Sequence, residues 1–100
     1  MIYRIEDVDD DKAIAHITGD ITFSENVRFR QLLSDLVEKE VTHCTFDLSE
    51  VKMVDSSGLG MFQIAKEQAD TSNWTLTVEG ASGHVASLFK LTKLTDLLKS

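Results

Sequence analysis

A chain of 100 residues, 42% hydrophobic and 27% charged, has room for one domain around a single core, and it holds no proline or low-complexity run to mark a linker. Its formal charge of -7, with ten scattered Lys and Arg residues, argues against a nucleic-acid partner. No apolar run approaches the roughly 20 residues that cross a bilayer, and the opening MIYRIEDVDDDK is acidic where a secretion signal is apolar, so a cytoplasmic protein without membrane insertion is expected.

The stretches IYRIE (2–6) and KAIAHITG (12–19) read as two strands joined by the acidic turn Asp7 to Asp11, a hairpin. Gly19 and Asp20 break the second strand. Ser24 then stands where a helix N-cap belongs, and Phe29, Leu32, Leu33, Leu36 and Val37 recur at helical spacing, which predicts an amphipathic helix over 25–38. VTHCTFDL (41–48) alternates, with Cys44, Phe46 and Leu48 on one face and His43, Thr45 and Asp47 on the other. Such alternation implies a sheet with one better-covered face. A second helix is expected over 57–69, with Leu59, Phe62, Ala65 and Ala69 inward, before the turn-prone DTSN. WTLTVEG (74–80) is the fourth strand; Val85, Leu88 and Phe89 mark a short third helix, and LTDLLKS closes the chain. The fold class is therefore α/β, in the order β-β-α-β-α-β-α, with a mixed, mostly parallel four-stranded sheet and helices packed mainly on one face.

Cys44 is the single cysteine and sits in an apolar strand, the place of a small core residue, and it rules out an internal disulfide. His16, His43 and His84 are far apart and show no ligand spacing, so neither a metal nor a cofactor is expected.

The segment VDSSGLG (54–60) is where function concentrates. Gly58 and Gly60 each cost a helix roughly 1 kcal/mol against alanine, which a purely structural helix has little reason to bear. A strand leading into a helix N-terminus gathers unpaired amides and the positive end of the helix dipole, a setting that suits an anion. Ser56 or Ser57 capping the helix explains one hydroxyl but not the glycines. Small residues around a hydroxyl let a modifying enzyme approach the backbone, so the cluster reads as an accessible modification site. A phosphate here adds about -1.5 to -2 charges and suits the local field, which leaves the fold intact and changes the binding surface.

The stretch FDLSEVKMVDSSGLGMF resembles the signature of STAS domains, the sulfate transporter and anti-sigma factor antagonist family, with support from ITGDI (17–21) and GHVASLFKLTKLTDLL (83–98). The resemblance implies a STAS fold and a bacterial partner-switching protein. It implies that Ser56 accepts phosphate from an anti-sigma factor or switch kinase of histidine-kinase-like ATPase fold, and that a PP2C-type phosphatase removes it. Asp55, Ser57, Gly58, Leu59 and Gly60 match the rest of the phosphosite loop. By the same resemblance Asp20 and Ser24 enter the partner contact region. Met53, Val54, Leu59 and Met61 are apolar positions around the loop; Val54 and Leu59 fit the core, while Met53 and Met61 are evenly balanced between core and contact surface. The chain stops at Ser100, short of the longer C-terminal element of some relatives, so part of a partner surface is expected to differ.

Two other readings compete. The small STAS subunit of bacterial phospholipid-trafficking ABC transporters binds an ATPase constitutively, but tends toward threonine and glycine where Ser56 and Ser57 stand. A serine hydrolase would recruit Ser56 with His43 or His84 and Asp55 or Asp47, yet no G-x-S-x-G elbow is present and an adjacent Asp does not make a triad.

Overall fold

Period-two alternation organises the sheet. In the computed structural model, which describes residues 1–81 and 83–91, four strands lie side by side in chain order: β1 (Ile2–Asp7), β2 (Lys12–Thr18), β3 (His43–Glu50) and β4 (Thr75–Glu79). The β1–β2 hairpin is antiparallel, and β3 and β4 add on in parallel. Parallel neighbours cannot be joined by a tight turn, so β2–β3 and β3–β4 are each bridged by a helix. The mixed, mostly parallel sheet of the expected element order is thus formed.

One sheet face carries Ala13, Ala15 and Ile17 from β2, Cys44, Phe46 and Leu48 from β3, and Leu76 and Val78 from β4, none more than 5% exposed. Onto it pack the stripes of α1 (Asn26–Glu38), α2 (Ser56–Thr71) and α3 (Gly83–Lys90). Phe62 is the hub: its ring lies 5.3 Å from Phe29, 6.2 Å from Phe46 and 5.0 Å from Phe89 in edge-on or tilted arrangements. Cys44 is sealed in this core, and burial pushes its thiol up to about 12. It is the inert core residue that its position implied. Among the described residues no helix is long and apolar enough to cross a membrane.

The opposite face carries, beside Ile2 and Ile14, a self-paired polar cluster. His16 Nδ1 lies 2.9 Å from Asp47 Oδ2 and Nε2 lies 2.7 Å from Glu6 Oε1, so one imidazole bridges three strands. A neutral ring donates from one nitrogen only; the imidazolium donates to both carboxylates. The hydrogen bonds to Glu6 and then Asp47 raise the His16 pKa, against burial and the nearby Arg4. Asp47 is pushed up by burial, but the Ser49 amide, the Ser49 hydroxyl and His16 together hold it below the usual carboxylate range. Alongside, Thr45 Oγ1 meets Thr77 Oγ1 at 3.0 Å, and Thr77 Oγ1 meets His43 Nε2 at 3.3 Å.

Element bounds differ from expectation by one or two residues, α2 running over Ser56–Thr71 and β4 over Thr75–Glu79, and two of the shifts have a visible local setting. β3 opens at His43 instead of Val41, because Glu40 takes a positive φ of 55° that turns the chain out of α1 first. α1 opens at Asn26, and Ser24 does not cap it: Ser24 lies in a 3-10 turn (Phe23–Glu25) with its hydroxyl 2.9 Å from Thr22 Oγ1, while Glu25 occupies the cap position without a side-chain capping bond, its carboxylate instead paired with the N-terminal ammonium. The expected closing segment LTDLLKS lies outside the described residues.

Candidate functional site

Beyond Glu50 the chain leaves the sheet but stays anchored. Val51 and Val54 are 7% and 1% exposed, and Val54 forms a parallel bridge with Ile21 from the loop after β2. The Ile21 amide donates to Met53 O at 3.0 Å, and the Asp55 amide donates to Ile21 O at 3.3 Å. Two loops remote in sequence are zipped together, which sets Asp20, itself exposed, on the residue next to this clamp.

Asp55 starts the helix. Its backbone is extended (φ -89°, ψ -179°) and its Oδ1 accepts the Gly58 amide at 2.7 Å, satisfying one orphan donor of the first turn. This corrects the sequence reading in which Ser56 or Ser57 caps: the carboxylate one residue earlier does so, and α2 begins at Ser56. Both serines are thereby released. They are exposed, and neither hydroxyl bonds to any described residue.

The glycines divide. At Gly58 a Cβ would lie 2.3 Å from Ile21 O and 2.9 Å from Val54 Cγ1, so this glycine exists to let the β2 loop press against the helix start. The reading of it as open ground for a visiting enzyme is corrected. At Gly60 nothing lies within 4 Å of a Cβ, and the residue is exposed, so that approach is open. Of the apolar positions, Val54 is core and Leu59 is half-buried against it; Met61 is 7% exposed and Met53 is 41% exposed. The two methionines thus differ in burial: Met61 belongs to the core while also lining the cleft beside it, and Met53 is exposed.

A feature that sequence reasoning missed begins beside Ser57 and Gly60. Between α1 and α2 lies a cleft of about 300 Å³ whose walls include Phe23, Arg30, Met61 and Ile64. Phe23 is 65% and Ile64 50% exposed. The signal was available: Ile64 falls outside the inward stripe of α2, and Phe23 precedes the periodic part of α1.

Among the described residues the Ser56 hydroxyl bonds to neither His43 nor His84, the two histidines that the hydrolase reading would recruit. His43 opens β3 whereas Ser56 follows its other end, and an eight-residue strand at about 3.3 Å per residue separates them. Asp55 is committed to the helix cap and Asp47 to His16.

A four-stranded mixed sheet with helices on one face and an exposed hydroxyl at a strand-to-helix turn defines a small α/β domain. The family model described as "Mlab, STAS domain" matches residues 6–99, and the chain belongs to the STAS domain family. The anti-sigma-B factor antagonists of Listeria monocytogenes and Listeria innocua are each 28% identical to it over 96 residues, which is 96% of this chain and 84% of theirs. Among solved structures, the anti-sigma factor antagonist SpoIIAA in its unphosphorylated form superposes with a TM-score of 0.82 at 16% identity, covering 98% of this chain and 86% of that one. The Bacillus cell fate determinant SpoIIAA in the phosphorylated form gives 0.76 at 15% identity, covering 98% and 89%. A sulfate transporter family protein from Wolinella succinogenes gives 0.79 at 16% identity, covering 93% and 80%. At such identities the structural likeness is one of fold.

Proposed function

We propose that the chain is a regulatory binding protein of the anti-sigma factor antagonist type, switched by reversible phosphorylation of Ser56. The observation that carries this reading is the exposed, unbonded Ser56 hydroxyl at the first position of α2, left free because Asp55 does the capping. A switch kinase with a histidine-kinase-like ATPase fold transfers the γ-phosphoryl group of ATP to Ser56 Oγ, releasing ADP and the hydroxyl proton. A PP2C-type phosphatase returns the free serine. The name of the Listeria relatives, anti-sigma-B factor antagonist, supports the antagonist part of this reading. In this role Ser56 is a substrate residue, and the protein works by binding.

The phosphate falls where the helix dipole favours negative charge, next to Asp55, which disfavours it, so the fold is retained and the surface gains negative charge locally. Asp20 and Met53, both exposed near the loop, and Ser24 complete the proposed contact region. Met61 contributes from below, through the floor of the cleft.

The test is phosphosite mapping by mass spectrometry on protein recovered from its native cells, beside a Ser56→Ala form. Phosphate on Ser56, absent from the variant, with a partner held by Ser56→Ala but not by Ser56→Asp, is the expected result. An ATPase held equally by both forms, with Ser56 never phosphorylated, would instead establish the constitutive ABC-transporter-subunit role.

A further inference from the structure

The cleft beside Ser57 does not end there. A second depression of about 380 Å³ continues down the helix pair to Val37 and Gln68, and the two share Arg30, Leu33 and Ile64, so they form one groove. α1 and α2 both descend from the same end of the parallel strands and flank it along its length. The floor is Leu33 and Met61, at 2% and 7% exposure, while Phe23, Val37 and Ile64 remain 65%, 41% and 50% exposed. Single exposed apolar side chains are ordinary, but several lining one concavity mark a docking surface.

We infer that this groove receives an amphipathic helix of a partner protein, its apolar stripe between α1 and α2 and one carboxylate, midway along, on Arg30. The inference rests on the reading of the chain as a partner-binding protein. Three observations select the occupant. The walls are helices whose backbone groups are already bonded internally, so an extended peptide finds no ladder to join, whereas helix ridges fit between helix ridges. From Ser57 to Gln68 the groove is three turns long, about 16 Å at 1.5 Å per residue, which accommodates anchors at i, i+4 and i+7. Arg30 is the one charged residue in the lining of both halves and joins no ion pair among the described residues. A guanidinium held beside apolar walls is matched by a carboxylate in the bidentate geometry. Elsewhere the formal charge of -7 favours basic side chains on the outward face of the same helix.

A stapled helical peptide of about four turns, with leucines along one stripe, lysines outward and a central glutamate, is the probe, and its twin has lysine in place of that glutamate. In amide NMR titrations the glutamate peptide is expected to shift Phe23, Arg30 and Ile64 and to bind roughly tenfold tighter than its twin. Arg30→Glu should reverse that preference, and Ile64→Glu should weaken both peptides by about tenfold or more. Both substitutions are at exposed positions, and unchanged circular dichroism confirms folding. Equal affinity for the twins, shifts confined to other surfaces, or a light-scattering dimer that Ile64→Glu dissociates would each overturn the inference, the last by making a second copy the occupant. The peptide assay involves no kinase, so its failure is distinct from an absence of phosphate on Ser56.

Discussion

The open face of the sheet and the loop entering α2 both carry polar clusters, yet they use their polar groups in opposite ways. On the sheet, Glu6, His16 and Asp47 are spent on one another across three strands. In the loop, the carboxylate of Asp55 takes the one structural duty, and the hydroxyls of Ser56 and Ser57 bond to no described residue. A polar group satisfied internally contributes to the fold, while one held in place without a partner is available to another molecule. The loop is bonded on its inner side and free on its outer side, the arrangement that the proposed role of Ser56 as a substrate residue requires.

That contrast can be broken most sharply at the glycines. Gly58→Ala drives a methyl group into Ile21 O and Val54 Cγ1, and the backbone oxygen cannot swing aside, so a loss of about 3 kcal/mol in urea unfolding is expected. Gly60→Ala enters open space in a helix and should raise stability by about 1 kcal/mol. Equal effects at both positions would show that the β2 loop does not press on α2. Next in size, Asp55→Ala removes the cap and should cost about 1 kcal/mol, with Asp55→Asn retaining most of it. Ser56→Ala and Ser57→Ala should change stability by no more than about 0.5 kcal/mol, since neither hydroxyl has a partner to lose. A larger loss from either would return the capping role to that serine. Ser56→Asp is expected to leave the melting temperature nearly unchanged while weakening partner binding.

The open face makes a pH prediction of definite sign. The folded-state pKa of His16 is raised, so its stabilisation is fully present below about 6.5 and is lost as pH climbs through the folded value. Asp47 and Asp35 are lowered, Asp35 by hydrogen bonds from Tyr3 and Gln31, so their contribution is present above about 3.9 and is lost on acidification. Thermal unfolding should therefore peak between those limits, and His16→Asn should remove the decline on the alkaline side and weaken the Asp47 share of the loss on the acid side. An NMR titration placing His16 at or below the value of a free imidazole would contradict the three-strand bridge.

The strands were legible because alternation at period two places Cys44, Phe46 and Leu48 on one side, and α1 because Phe29, Leu32, Leu33 and Leu36 return at helical spacing. The DSSGLG loop was legible because a specific string stands where a strand becomes a helix. By contrast, local pattern misled at Ser24, Ser56 and Ser57, where several nearby residues were competent to cap and the backbone chose Asp55 for one helix and no side chain for the other.

By itself, then, the sequence determined the element order, the buried faces and the place of the hydroxyl, since these follow from periodicities within single segments. Only the tertiary structure decided that Gly58 serves the core and Gly60 the surface, that Met53 faces outward and Met61 inward, and that His16 meets Glu6 and Asp47. Each of these depends on strand register or on how α1 and α2 lie together, and contacts between segments far apart in the chain leave no periodic trace in any one of them.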